Sequence, residues 1–191
     1  MKGNKVLRVG FDLDGVILYN PARIFRPVIA YIKNILFDHK KPLKFYYPKS
    51  KIEKFFWHLF HFSSIFPAPG LDRLEKLVSN KKIKAYLITA RYSFLKKDLD
   101  FWIKKLKLKK YFSGIYYNQK DEQPHLFKEK MIKKLKLDIF VEDNWDIVNY
   151  LNKSEKKSNR CKIFWIYNLL DIKIKYPYKF PNLSKVIKEL R

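Results

Sequence analysis

Apolar residues recur along this chain with two periods, and the switches between them lay out its elements. Residues 6–12 are largely apolar until they reach an acid, the pattern of a strand covered on both faces. Over 21–37 the period lengthens, placing Ile24, Val28, Ile32 and Leu36 on one helical face. Asn20 suits the cap of that helix and Pro21 its first turn, while Pro27 predicts a kink. A second helix is predicted from Ser50, with Glu53 at the acid position of a capping box ahead of Phe55, Phe56, Leu59 and Phe60. Pro67, Pro69 and Gly70 then break the chain before a third helix through Leu71, Leu74 and Val78.

Beyond this point strands and helices alternate. Strands are predicted at 83–89, 114–117, 138–142 and 162–166. Helices are predicted at 93–106, 124–136, through Ile147 and Leu151, and at 183–190. Alternation of this kind predicts an α/β fold with a Rossmann-like parallel sheet flanked by helices. Residues 1–18 and 70–191 would form that core, and residues 19–69 a small helical cap inserted after the first strand.

Composition supports a folded domain. Of the 191 residues, 47% are hydrophobic and 17% aromatic, which supplies a core and excludes a chain too polar to collapse. The single cysteine, Cys161, cannot close an internal disulfide and fits a reducing cytoplasm. The opening residues lead into a strand that ends in acids, a poor signal peptide. The apolar stretch 55–66 holds two histidines and is too short to span a bilayer, so no membrane association is expected. Forty-two Lys and Arg against 18 Asp and Glu give a formal charge of +24, a field that gathers anions. Because the lysines are scattered and arginines are few, charge by itself selects no partner.

The chemistry lies where the strands should end. Ligands bind beyond the carboxyl ends of an open parallel sheet. The first strand ends at Asp12, with Asp14 two residues on. Another ends at Thr89, followed by Ala90 and Arg91, and a third at Glu142 and Asp143. Lys128 lies on the helix leading into that third strand. Carboxylates gathered at one edge repel unless a cation neutralises them, and their oxygens suit a hard divalent ion such as magnesium.

Four segments carry a family resemblance: Asp12-Leu13-Asp14-Gly15-Val16, Leu87-Ile88-Thr89-Ala90-Arg91, Lys128, and Val141-Glu142-Asp143. In order and in placement at strand ends they resemble the motifs of the haloacid dehalogenase superfamily of phosphohydrolases. Residues 66–70, and the run from Lys128 to Asp143, resemble the branch of 5′-nucleotidases and deoxyribonucleotidases. The resemblance implies a Mg2+-dependent phosphomonoester hydrolase acting through an aspartyl-phosphate on Asp12, with Asp14 as general acid and base. It implies phosphate binding by Thr89, Ala90, Arg91 and Lys128, with Arg91 open between a substrate contact and a surface ion pair. Asp12, Asp143 and the backbone carbonyl of Asp14 would hold the metal. The fourth motif departs from the family pattern at Glu142-Asp143-Asn144-Trp145-Asp146. Asp143 is therefore the favoured ligand, with Glu142 and Asp146 reaching the metal through it or through water.

The implied partner is a small phosphorylated substrate, a nucleoside monophosphate first. One alternative is a phosphatase of nucleic-acid ends that uses the basic surface. Another is a non-catalytic anion-binding module, which would have no need of Asp14. His58 and His61 have the spacing of metal ligands but no partner at a familiar spacing, so structural roles are expected. Phe55, Phe56, Trp57, Phe60 and Phe62 should build the insertion's own core, with one or two free to stack on a base. Trp145 should pack beneath the metal motif, and Cys161 should be buried and inert.

Overall fold

The computed structural model describes residues 6–19, 43–62, 66–156, 161–168 and 171–190, and elements are numbered within them. The predicted helix at 21–37 lies outside the described residues. Strand β1, Leu7–Phe11, runs at the centre of a six-stranded sheet. On one side it pairs with β4, Ile83–Thr89, which pairs in turn with β5, Gly114–Tyr117. On the other side follow β6, Ile139–Glu142, then β7, Lys162–Ile166, and a two-residue edge strand β8, Lys179–Phe180. Every pairing is parallel, giving the order β5-β4-β1-β6-β7-β8.

Side chains of these strands alternate between two cores, one on each face. Val9, Phe11, Ala85, Leu87 and Val141 enter one core. Tyr86, Ile88, Phe140, Ile163 and Trp165 enter the other. The first core is covered by α2, Leu71–Ser79, α3, Lys96–Lys105, and α6, Leu183–Glu189, which contribute Leu74, Leu99, Trp102 and Val186. The second is covered by α4, Pro124–Leu135, and α5, Trp145–Lys156, through Met131, Ile132 and Leu151. Two covered faces explain why these strands read as nearly unbroken apolar runs.

Helix α1, Lys51–Phe62, lies between β2 and β3 in the chain and begins at the predicted capping box. Glu53 N–H donates to Ser50 Oγ at 3.1 Å, and Ser50 N–H donates back to Glu53 Oε2 at 3.0 Å. The predicted helix at 93–106 opens instead with a 3-10 turn, Ser93–Leu95. Three short strands were not signalled by periodicity. They are β8 and the antiparallel pair β2, Leu18–Tyr19, with β3, Phe66–Pro67. A strand of two residues carries no alternation to detect.

Gly10 fixes how closely the central strands are covered. A Cβ there would lie 2.6 Å from Leu137 Cδ1 and 2.8 Å from Phe140 Cδ2, so the second core packs directly on its backbone. Gly10→Val should therefore destabilise the fold by about 1–3 kcal/mol through overpacking. Urea denaturation measures this, and an unchanged midpoint would show that Leu137 and Phe140 yield freely.

Candidate active site

The carboxyl ends of β1, β4 and β6 converge on a pocket of about 200 Å³, lined at its base by Asp12, Asp14, Thr89, Arg91, Lys128, Glu142 and Asp143. Each is placed by local structure. Asp12 follows the last residue of β1, and its N–H bonds Val141 O at 3.0 Å, tying it to β6. The chain then turns sharply through Gly15, whose φ of 81° favours a residue without a side chain, and returns as β2. Lys128 sits on the buried face of α4, directed across the ends of β1 and β6.

Lys128 is 2% exposed, with its ammonium 2.9 Å from Asp12 Oδ2 and 2.5 Å from Glu142 Oε2. Burial works to strip its proton, but the charges of Asp12 and Glu142 outweigh that and hold it above the ordinary lysine range. Two other lysines of the same helix are engaged elsewhere. Lys130 pairs with Glu122 at 2.9 Å, and Lys133 pairs with Glu129 one turn before it on α4. Glu142, expected to stand behind the metal ligand, is fully buried within the cluster. Besides Lys128 it accepts from the N–H groups of Asp143 at 3.2 Å and Asn144 at 3.0 Å.

Oxygens of Asp12, Glu142 and Asp143 all lie within 4.8 Å of one another. Burial, opposed by Lys128 and reinforced by neighbouring acids, raises Asp12 above its ordinary value. The same causes push Glu142 up to about 8. Fully ionised, the four pocket carboxylates exceed Lys128 and Arg91 by two negative charges, the deficit that one divalent cation fills. Three convergent carboxylates form a hard oxygen donor set, so these residues fit a divalent metal. Asp146 is exposed on the first turn of α5 and lies apart from the cluster.

Asp14 points its carboxylate at Arg91, which donates to it from Nε at 2.8 Å and Nη2 at 2.7 Å. Arg91 is 3% exposed and Asp14 half-buried, so the pair lies in the pocket wall and not on the outer surface. Thr89 is also buried, and its Oγ1 accepts from Arg91 N–H at 3.3 Å. Ala90 lines the pocket beside it.

The outer wall comes from the insertion and is aromatic: Phe45, Tyr46, Trp57 and His61, with Tyr92 from the loop after β4. Residues 43–49 are strapped to the core by side chains that sequence reasoning missed. Gln123 brackets Phe45, accepting from its N–H at 2.7 Å and donating to its carbonyl at 3.2 Å. Tyr92 Oη donates to Tyr46 O at 3.1 Å. Asp121 accepts from Tyr47 Oη at 3.1 Å and from the N–H and hydroxyl of Ser93 at 2.6 and 2.9 Å. The usable signal was a run of polar residues, Asn118 to Gln123, directly after a strand end.

The two histidines of α1 serve different ends. His58 Nδ1 lies 2.7 Å from Asp98 Oδ2 on α3, and His61 Nδ1 lies 3.0 Å from Trp57 O. Asn144 caps α5, accepting from Asp146 N–H at 3.0 Å. Trp145 packs on Trp165 with ring centroids 4.4 Å apart, and Trp165 Nε1 donates to Asp143 O at 3.2 Å. The backbone that carries Asp143 is thereby anchored from below. Cys161 is buried, and burial pushes its thiol up, as expected of an inert side chain.

Neither protein-family models nor curated proteins match this sequence. Solved structures do match over nearly its full length. A HAD hydrolase of family IA, variant 3, from Entamoeba histolytica is 14% identical, with 96% of this chain and 100% of that chain covered and a TM-score of 0.58. A protein from Haemophilus somnus described as a predicted phosphoglycolate phosphatase is 14% identical, with coverage of 97% and 98% and a TM-score of 0.59. CbbY from Rhodobacter sphaeroides, solved in complex with phosphate, is 10% identical, with coverage of 95% and 96% and a TM-score of 0.56. The chain shares the Rossmann-like α/β fold of these structures, a parallel sheet flanked by helices. At such identities the likeness is one of fold, and the chemistry has to follow from the residues in the pocket.

Metal binding at this cluster should depend on pH with a definite sign. Asp12 and Glu142 are raised, so each retains a proton to higher pH than an ordinary carboxyl, and a metal must displace it. Affinity for a divalent cation should rise between about pH 5 and about pH 8, by up to about tenfold per unit for each proton displaced. Isothermal titration across that range tests this, and a flat profile would show the cluster already fully ionised.

Proposed function

We propose that this protein is a magnesium-dependent phosphomonoester hydrolase acting through an aspartyl-phosphate on Asp12, with a nucleoside monophosphate as the preferred substrate. The observation that carries the reading is the buried Asp12–Lys128–Glu142 triad beside Asp143, with Asp14 two residues beyond the nucleophile. Asp12, Glu142 and Asp143 would hold the metal, with the backbone carbonyl of Asp14 as a further candidate. Bound there, Mg2+ would neutralise charge on the phosphoryl oxygens and orient the ester.

A carboxylate oxygen of Asp12 attacks phosphorus, forming an acyl–phosphate bond as the ester P–O bond breaks. Asp14 gives the departing oxygen its proton, so the alcohol leaves neutral. Water then attacks the phosphorus of the intermediate and returns a proton to Asp14, releasing inorganic phosphate and restoring Asp12. Lys128 places a fixed positive charge against Asp12 where negative charge accumulates, and the Thr89 hydroxyl donates to a phosphoryl oxygen. The Ala90 and Arg91 backbone borders the same space.

The nucleotide preference rests on the outer wall. Tyr46 and Trp57 lie with ring centroids 6.0 Å apart, and Trp57 and His61 at 6.1 Å, a cluster of tilted rings that offers a face to the base of the leaving nucleoside. In this reading residues 19–69 are a cap that selects the leaving group while the sheet edge handles the phosphoryl. A cytoplasmic enzyme drawing on the nucleotide pool fits the single buried thiol.

Phosphate release from a nucleotide panel in the presence of magnesium tests the chemistry. Asp12→Asn should lower kcat by at least about a thousandfold while leaving the fold intact. Undiminished turnover in that variant would remove Asp12 as the nucleophile. Trp57→Ala should raise KM for a nucleoside monophosphate by about tenfold, the value of one stacking contact. KM for acetyl phosphate, which has no ring, should not move; a parallel rise on both would assign Trp57 to the architecture of the insertion.

A further inference from the structure

Arg91 is bound in a way that phosphate recognition does not require. An arginine reserved for phosphate keeps its planar fork free for two oxygens of the ligand. Here the fork is committed to Asp14, with Nε on one carboxylate oxygen and Nη2 on the other. The remaining nitrogen, Nη1, is buried and makes no hydrogen bond among the described residues. Leaving a buried donor unmade is costly, so the side chain sits where the two-point grip on Asp14 puts it and not where its own hydrogen bonds would be maximal.

The arm is held at its base as well. Arg91 N–H is on Thr89 Oγ1, and two residues later both the N–H and the hydroxyl of Ser93 are fixed by Asp121. Asp121 itself takes a φ of 52°, the left-handed turn region that aspartate enters more readily than most residues. A rigid loop therefore presents a rigid fork to a carboxylate that would otherwise rotate about two side-chain bonds.

We propose that Arg91 is the positioning residue of Asp14: by gripping both oxygens it sets the plane from which the carboxyl meets the leaving-group oxygen. This rests on the phosphohydrolase reading. It assigns to Arg91 a role through Asp14, distinct from a contact to the transferred phosphoryl group.

The two roles separate by leaving group. An alkyl ester, such as a nucleoside 5′-monophosphate or glycerol phosphate, needs its leaving oxygen protonated, whereas 4-nitrophenyl phosphate does not. Arg91→Lys keeps the charge and loses the fork. It should lower kcat on the alkyl ester by about a hundredfold, with KM little changed and a much smaller loss on the nitrophenyl ester. In an Asp14→Asn background the same substitution should add almost nothing. Arg91→Ala with guanidinium ion added at millimolar concentration should recover alkyl-ester turnover selectively, which keeps the test open if Arg91→Lys folds poorly. Equal losses on the two esters, a rise confined to KM, or additive losses with Asp14→Asn would overturn the positioning role alone. Absence of wild-type turnover on both esters would overturn the phosphohydrolase reading, and this inference with it.

Discussion

One buried ammonium holds the centre of this molecule together. Lys128 lies between Asp12, at the end of β1, and Glu142, at the end of β6, and those strands are neighbours in the sheet. Without that charge, two carboxylates would stand side by side in a nearly dry environment, a large desolvation cost with nothing to offset it. The cation comes from α4, which also covers one face of the sheet, so helix packing and charge neutralisation are parts of the same arrangement. The triad remains short of positive charge once Asp143 is added, and that residual deficit suits the strand edge to a divalent cation. Structure and reactivity draw here on the same electrostatics.

Much of this was legible in the sequence because it depends on local patterns. β4, β5 and β7 fall where unbroken apolar runs predicted them, and the capping box of α1 forms with both of its reciprocal bonds. Strand-end acids can be read because the fold class fixes where strand ends must lie. What stayed hidden depends on distance across the chain. No spacing rule pairs Glu142 with Lys128 or Asp14 with Arg91, since a side chain's partner is set by tertiary packing. Glu142 is expected behind the metal ligand, and the partner it takes there, Lys128, is named by no pattern in the sequence. The strap residues Asp121 and Gln123 were missed for the same reason: their partners lie 28 to 78 positions away.

Those strap residues show how two tasks share one scaffold. Asp121 touches both the segment that brings aromatic side chains to the pocket and the loop that carries Arg91. The wall that would face a leaving group and the acid that would protonate it are thus referenced to one carboxylate. His58 and Asp98 make a second attachment farther out, between α1 and α3. Residues 43–62 are thus fastened to the sheet-bearing core at several points around the pocket.

The short ladder of β2 and β3 has a consequence of its own. Leu18 pairs with Pro67 and Tyr19 with Phe66, and Ala68 N–H bonds Ile17 O at 2.8 Å, so the chain departs from the core and returns to it at a single point. A neck this narrow fixes where the chain leaves and rejoins the core, whatever lies between. Segments of very different length can be joined there at little extra cost in chain entropy, because closure depends only weakly on length once the ends are fixed. The sheet edge would keep its acids and its lysine in place throughout. A different segment could be joined at that ladder while the acids and the lysine of the sheet edge kept their places.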